Sequence, residues 1–103
     1  MDTEIRYSDF VINKDMNQVT GNNRILHLTV REINLLMLLL SNPGRMFSKN
    51  ELLEKVWGYD YCGKTRAVDI QIRRLREKIE VNPSNPKYIK TKWGQGYYFV
   101  ENL

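Results

Sequence analysis

The sequence predicts an α+β domain in which a small antiparallel sheet comes first, three helices follow and a β-hairpin ends the fold. Three observations predict it. Short apolar stretches separated by turn residues fill residues 4–28. Two helix-opening signatures, Thr29-Val30-Arg31-Glu32 and Ser48-Lys49-Asn50-Glu51, come next. Two β-patterned runs then flank Trp93-Gly94-Gln95-Gly96.

The first strands are marked by Ile5 and Tyr7, Phe10 and Ile12, Val19, and Ile25 with Leu26 to Leu28. Thr20-Gly21-Asn22-Asn23 reads as a hairpin turn, because Gly and Asn tolerate positive φ. The capping box at Thr29 opens a helix through Leu40 or Ser41, which Asn42-Pro43-Gly44 stops. The box at Ser48 opens a second helix to about Trp57, with an apolar stripe of Leu52, Leu53, Val56 and Trp57 and a stop at Gly58. Tyr59 to Thr65 is a loop. A third helix runs from Thr65 or Arg66 to Ile79 or Glu80, ended by Asn82-Pro83. Tyr88 to Lys92 and Gly96 to Val100 form the closing hairpin. A three-helix core followed by a hairpin is the winged helix-turn-helix plan.

At 103 residues the expectation is one domain, 1–103, with its core from about 5 to 100. The longest apolar run, Leu35 to Leu40, is far short of the roughly 20 residues of a membrane span. No signal peptide opens the chain, and the single cysteine, Cys62, has no disulfide partner, so a cytoplasmic location is expected. Charge is distributed unevenly. Residues 1–62 carry 7 basic and 8 acidic side chains, whereas residues 63–100 carry 9 basic and 3 acidic. That asymmetry is the footprint of a nucleic-acid surface or, more plainly, of a solvated basic face.

The third helix separates its faces sharply. At about 100° per residue, Val68, Ile72, Leu75 and Ile79 share one narrow apolar stripe that must dock on the core. Arg66, Ile70, Arg73, Arg74 and Glu77 lie opposite it, Ala67 and Gln71 flank that face, and Asp69 and Arg76 border it. Arginines there can bond phosphates or the O6 and N7 of guanine, and Ile70 can meet a thymine methyl. The plainer alternative is a solvated helix balanced by Asp69–Arg73 and Arg73–Glu77 pairs, each contributing about 0.2–0.5 kcal/mol. Both can hold, with Asp69 aiming Arg73.

The lone histidine, His27, falls in a predicted strand beside apolar neighbours and reads as structural. No catalytic or metal-ligating constellation and no cofactor motif is present. The contrasting reading is a winged-helix protein-interaction module, which has no need of so many arginines on and beside one exposed face.

Leu28-Thr29-x-x-Glu32-x-x-Leu35-Leu36, Leu52-Leu53-x-x-Val56-Trp57-Gly58, Arg66-x-Val68-Asp69-x-x-Ile72-Arg73-Arg74-Leu75-Arg76 and Gly94-x-Gly96-Tyr97 resemble the DNA-binding domain of OmpR/PhoB-type response regulators. The likeness covers roughly Ile5 to Val100. It implies a four-stranded N-terminal sheet, a three-helix core, a C-terminal wing and a third helix that enters the major groove of a direct-repeat operator. By matching position, Arg66, Ala67, Gln71, Arg73, Arg74 and Arg76 touch phosphates or bases, Lys49 and Trp57 touch phosphates, and Thr91 and Tyr97 touch the DNA backbone from the wing. The resemblance also implies an RNA polymerase contact through the loop Tyr59 to Thr65. It implies, too, a receiver domain in the full-length protein, which these 103 residues, filled by the effector fold, do not include. Three positions depart from the pattern. Ala67 replaces a common threonine, Lys64 replaces a common acidic residue, and Trp93 replaces the usual minor-groove arginine. Either Trp93 packs on the sugar-phosphate backbone, or Lys92 supplies the charge there; the plainer alternative is Trp93 packed within the hairpin.

Overall fold

The computed structural model describes residues 4–7, 9–21, 23–58 and 63–101. Strands β1 (Glu4–Tyr7), β2 (Phe10–Asn13), β3 (Gln18–Gly21) and β4 (Arg24–His27) form an antiparallel sheet in chain order. The β3–β4 hairpin closes on a Gly21↔Arg24 pair, and Asn23 adopts φ 60°, as its turn signature predicts. Alternation of the strands sends Phe10, Ile12 and Val19 into the core.

Helix α1 (Val30–Leu40) opens on the complete capping box: Thr29 Oγ1 accepts from the Glu32 amide, and Glu32 Oε1 accepts from the Thr29 amide. Its buried face, Ile33, Leu35, Leu36, Leu39 and Leu40, lies at the centre of the fold. At Ser48 only half of the predicted box forms. Ser48 Oγ accepts from the Glu51 amide, but the Glu51 carboxylate turns to Arg45 at 2.6 Å. Helix α2 (Lys49–Leu52) continues as a π turn over Leu53–Trp57 and stops at Gly58, whose φ of 107° only glycine adopts freely.

Helix α3 (Arg66–Ile79) buries Val68, Ile72, Leu75 and Ile79 completely, the four residues its periodicity selects. Strands β6 (Ile89–Lys92) and β7 (Gly96–Phe99) make the wing and are slightly shorter than their sequence pattern suggests. A two-residue strand without a sequence signal, β5 (Phe47–Ser48), pairs with β7, so the second sheet has the order β5-β7-β6. Gly96 permits this pairing, since a Cβ there would lie 1.9 Å from the Phe47 carbonyl oxygen.

Two buried carboxylates tie these pieces together. Glu80 accepts from the amides of Lys87, Tyr88 and Ile89, fixing the loop between α3 and the wing. Tyr88, so anchored, meets Phe10 edge-on at 4.6 Å, and its hydroxyl donates to Asp9 at the β1–β2 turn. Glu32 receives Lys78 Nζ from the end of α3 at 2.6 Å, and the same ammonium donates to the His27 carbonyl. Burial alone would raise the Glu32 carboxyl, but Lys78 and the Thr29 amide and hydroxyl outweigh it and hold it below its ordinary value.

Lys78→Ala should therefore destabilise the domain by about 1–3 kcal/mol at neutral pH, because the buried carboxylate loses its cation. A depressed carboxyl stabilises above its unfolded value, and that contribution disappears as pH falls through the folded value. Urea unfolding of both proteins should show their difference narrowing in acid.

Candidate nucleic-acid interface

Docking of the Val68 stripe turns the opposite side of α3 outward. Arg66 and Arg74 are exposed, the Arg73 side chain is 83% exposed, and Ile70 lies among them at 42%. Arg73 Nε is held by Glu77 at 3.2 Å, as the i,i+4 spacing predicts. The proposed Asp69–Arg73 pair is replaced by other partners. Asp69 is drawn to Lys49 Nζ on α2, at 3.1 Å, and to the Tyr97 hydroxyl on β7, at 2.5 Å. Two donors fixed by other elements outcompete a flexible arginine on the same helix.

Beside α3, the β6–β7 turn raises Trp93 to 89% exposure, with Gly94 at φ 76° beneath it. Packing of Trp93 within the hairpin is thereby ruled out. Lys92 is exposed next to it. A cleft of about 360 Å³ separates the wing from the starts of α2 and α3, and Ser48, Lys49, Thr65, Lys92, Trp93 and Tyr97 are among its walls. The cleft is open to solvent, and its lining mixes polar and apolar surface.

Several predicted contacts prove to be committed internally. Arg76 donates through Nε and Nη2 to the Ile89 carbonyl, and through Nη2 to Thr91 Oγ1 at 2.8 Å. Burial lowers the Arg76 guanidinium from its usual value, with Tyr97 and Glu80 opposing, yet so strong a base remains protonated. Tyr97 is only 7% exposed; burial, then its bond to Asp69, pushes its hydroxyl well up, so it acts as a neutral donor. Gln71 is just 9% exposed, because its position flanks the docked stripe closely enough to be covered. Ala67 is half-buried against the core. Trp57 is half-buried at the end of the π turn, under the Arg31 guanidinium 5.0 Å from its ring. The joint made by Asp69, and the cleft walls Ser48 and Thr65, escape sequence reasoning because they come together only through tertiary contacts.

His27 is exposed on β4 rather than packed among its apolar neighbours. Among the described residues no group of three or more His, Cys, Asp and Glu side chains could hold a metal. No helix among them is long and apolar enough to cross a membrane. The loop reading for Tyr59 to Thr65 falls largely on residues 59–62, outside the described residues, as does Cys62.

A four-stranded sheet, three helices and a hairpin, with an arginine-bearing third helix facing solvent beside an exposed wing tip, define the winged helix-turn-helix class. Within it, the chain belongs to the family described as "Transcriptional regulatory protein, C terminal", which matches residues 22–99. It is similar to the response regulator DrrB of Thermotoga maritima, an OmpR/PhoB homolog, at 33% identity and TM-score 0.83, over 96% of this chain and 45% of DrrB. The chain thus spans less than half of that relative's length. The Klebsiella pneumoniae RstA DNA-binding domain, solved in complex with the RstA box, matches at 29% identity and TM-score 0.82 over 98% of this chain and 100% of the domain. The C-terminal effector domain of BfmR from Acinetobacter baumannii matches at 40% identity and TM-score 0.74 over 98% of this chain and 93% of that one.

Proposed function

We propose that this chain binds duplex DNA sequence-specifically as the effector domain of a two-component transcriptional response regulator. The observation that carries the reading is the solvent face of α3, where Arg66, Arg73 and Arg74 surround an exposed Ile70 directly opposite the buried stripe. In this reading α3 enters the major groove, Arg66 and one or both of Arg73 and Arg74 meet phosphates or guanine, and Ile70 meets a thymine methyl. Lys92 and Trp93 press the wing on the neighbouring backbone. The similarity to a DNA-binding domain solved in complex with its DNA box supports duplex DNA as the partner. Residues 1–103 act as one unit, two of which occupy direct-repeat half-sites, under control of a receiver domain in the full-length protein. The Tyr59 to Thr65 loop meets RNA polymerase. The domain works in the cytoplasm without catalysis, metal or cofactor.

The test is affinity for a duplex recovered by site selection from a random pool, measured against salt. With about five phosphates neutralised, affinity should fall about 500-fold between 50 and 200 mM monovalent salt through counterion release. A flat salt dependence would remove the electrostatic basis of the reading and favour a protein-interaction module.

A further inference from the structure

We propose that Asp69, Tyr97 and Arg76 are positioning residues, which lock the wing onto α3 and through which the wing tip acquires its part in DNA binding. The inference rests on the DNA-binding reading above and adds to it a division of labour between residues that touch DNA and residues that hold those in place.

The lock has two arms on one side of α3. Asp69 takes β7 through the Tyr97 hydroxyl, and Arg76, two turns further along, takes β6 through the Ile89 carbonyl and the Thr91 hydroxyl. The arms meet, since the Arg76 guanidinium lies 5.5 Å from the centre of the Tyr97 ring. Asp69 reaches a third element with its other oxygen, which accepts from Lys49 on α2. One carboxylate thereby joins both helices of the helix-turn-helix to the wing.

A bare carboxylate beside a DNA-facing surface would repel phosphate. Here both oxygens are occupied by donors of the protein itself, so the charge serves the fold. The wing needs such a lock. Each of its strands has only four residues, β5 backs β7 over just two residue pairs, and the tip is almost wholly exposed. A wing free to swing would have to be ordered when DNA binds, and that cost would cancel what Trp93 contributes. Tyr97, at 7% exposed and already bonded, is better placed to aim Trp93 than to touch DNA.

Double-mutant cycles on the full chain, with the selected duplex, separate holding from touching. Trp93→Ala should weaken binding at least about 3-fold more in the wild-type background than in Tyr97→Phe, whereas Arg74→Ala should cost the same in both within about 2-fold. Asp69→Asn, whose amide oxygen still accepts from Tyr97, should keep the Trp93 effect, and Asp69→Ala should lose it. Circular dichroism checks that each variant is folded; Tyr97→Phe, which removes one oxygen, carries the test if Asp69→Ala is not. Equal costs of Trp93→Ala in both backgrounds, with wild-type binding intact, overturn the lock alone. Failure of the wild-type chain to bind any duplex overturns the DNA-binding reading and the lock with it.

Discussion

Val68→Asp should leave essentially no folded domain at room temperature. Val68 is 0% exposed and sits in the stripe by which α3 is fastened to the core, with Ile72, Leu75 and Ile79 along the same line. The substitution removes an apolar contact and puts a carboxylate among the apolar side chains of the core. Lost burial costs roughly 1.5–3 kcal/mol and an unpaired buried carboxylate several kcal/mol more, together about 6–10 kcal/mol, which matches the whole stability of a domain of this size. Circular dichroism should show the helical signal lost, and DNA binding should vanish with it. A folded variant with a melting temperature near wild type would mean that α3 docks through some other face.

The opposite side of the same helix should behave in the opposite way. Arg73→Ala and Arg74→Ala should each change stability by no more than about 0.5 kcal/mol, because both side chains are exposed and the Arg73–Glu77 ion pair lies in solvent. Both should weaken binding to the selected duplex. An arginine that reads a base should cost about 1–3 kcal/mol, roughly 5- to 150-fold, and relax preference at one position. One that meets phosphate should weaken all sequences alike and lower the salt slope by about one. Paired measurements of thermal unfolding and of affinity for selected and scrambled duplexes decide between these outcomes. If both variants stay folded and bind normally, α3 is not the recognition helix.

The contrast between Val68 and Arg74 could be read from the sequence because both depend on helical spacing alone. The Thr29 capping box and the turn residue Asn23 were legible for the same reason, since each concerns neighbours along the chain. What escaped depends on encounters between distant segments. Nothing in Phe47-Ser48 announces a strand until β7 lies beside it, and nothing in Glu51 shows that Arg45 will claim its carboxylate. The candidate site divides along this line. Arg66, Ile70, Arg73, Arg74 and Trp93 are exposed where spacing or turn chemistry places them, while Arg76, Thr91 and Tyr97 carry donors and acceptors that each other's elements consume. Gln71 is covered because its helical angle lies only about 40° from Leu75, so it belongs to the edge of the apolar stripe rather than to the solvent face.

The order of strands in the second sheet bears on how the protein is made. β7 lies between β5 and β6, and its pairing of Tyr97 with Phe47 joins positions about fifty residues apart, a loop whose closure must precede any gain from the contact. A ribosome adding about 5–20 residues per second releases every other described element before this central one. Until β7 emerges, β5 and β6 have no strand to pair with and Asp69 has no tyrosine to hold. A nascent chain can thus display its arginine helix for some time without a wing beside it. The surface that joins α3 to the wing is therefore complete only when β7 takes its place between β5 and β6.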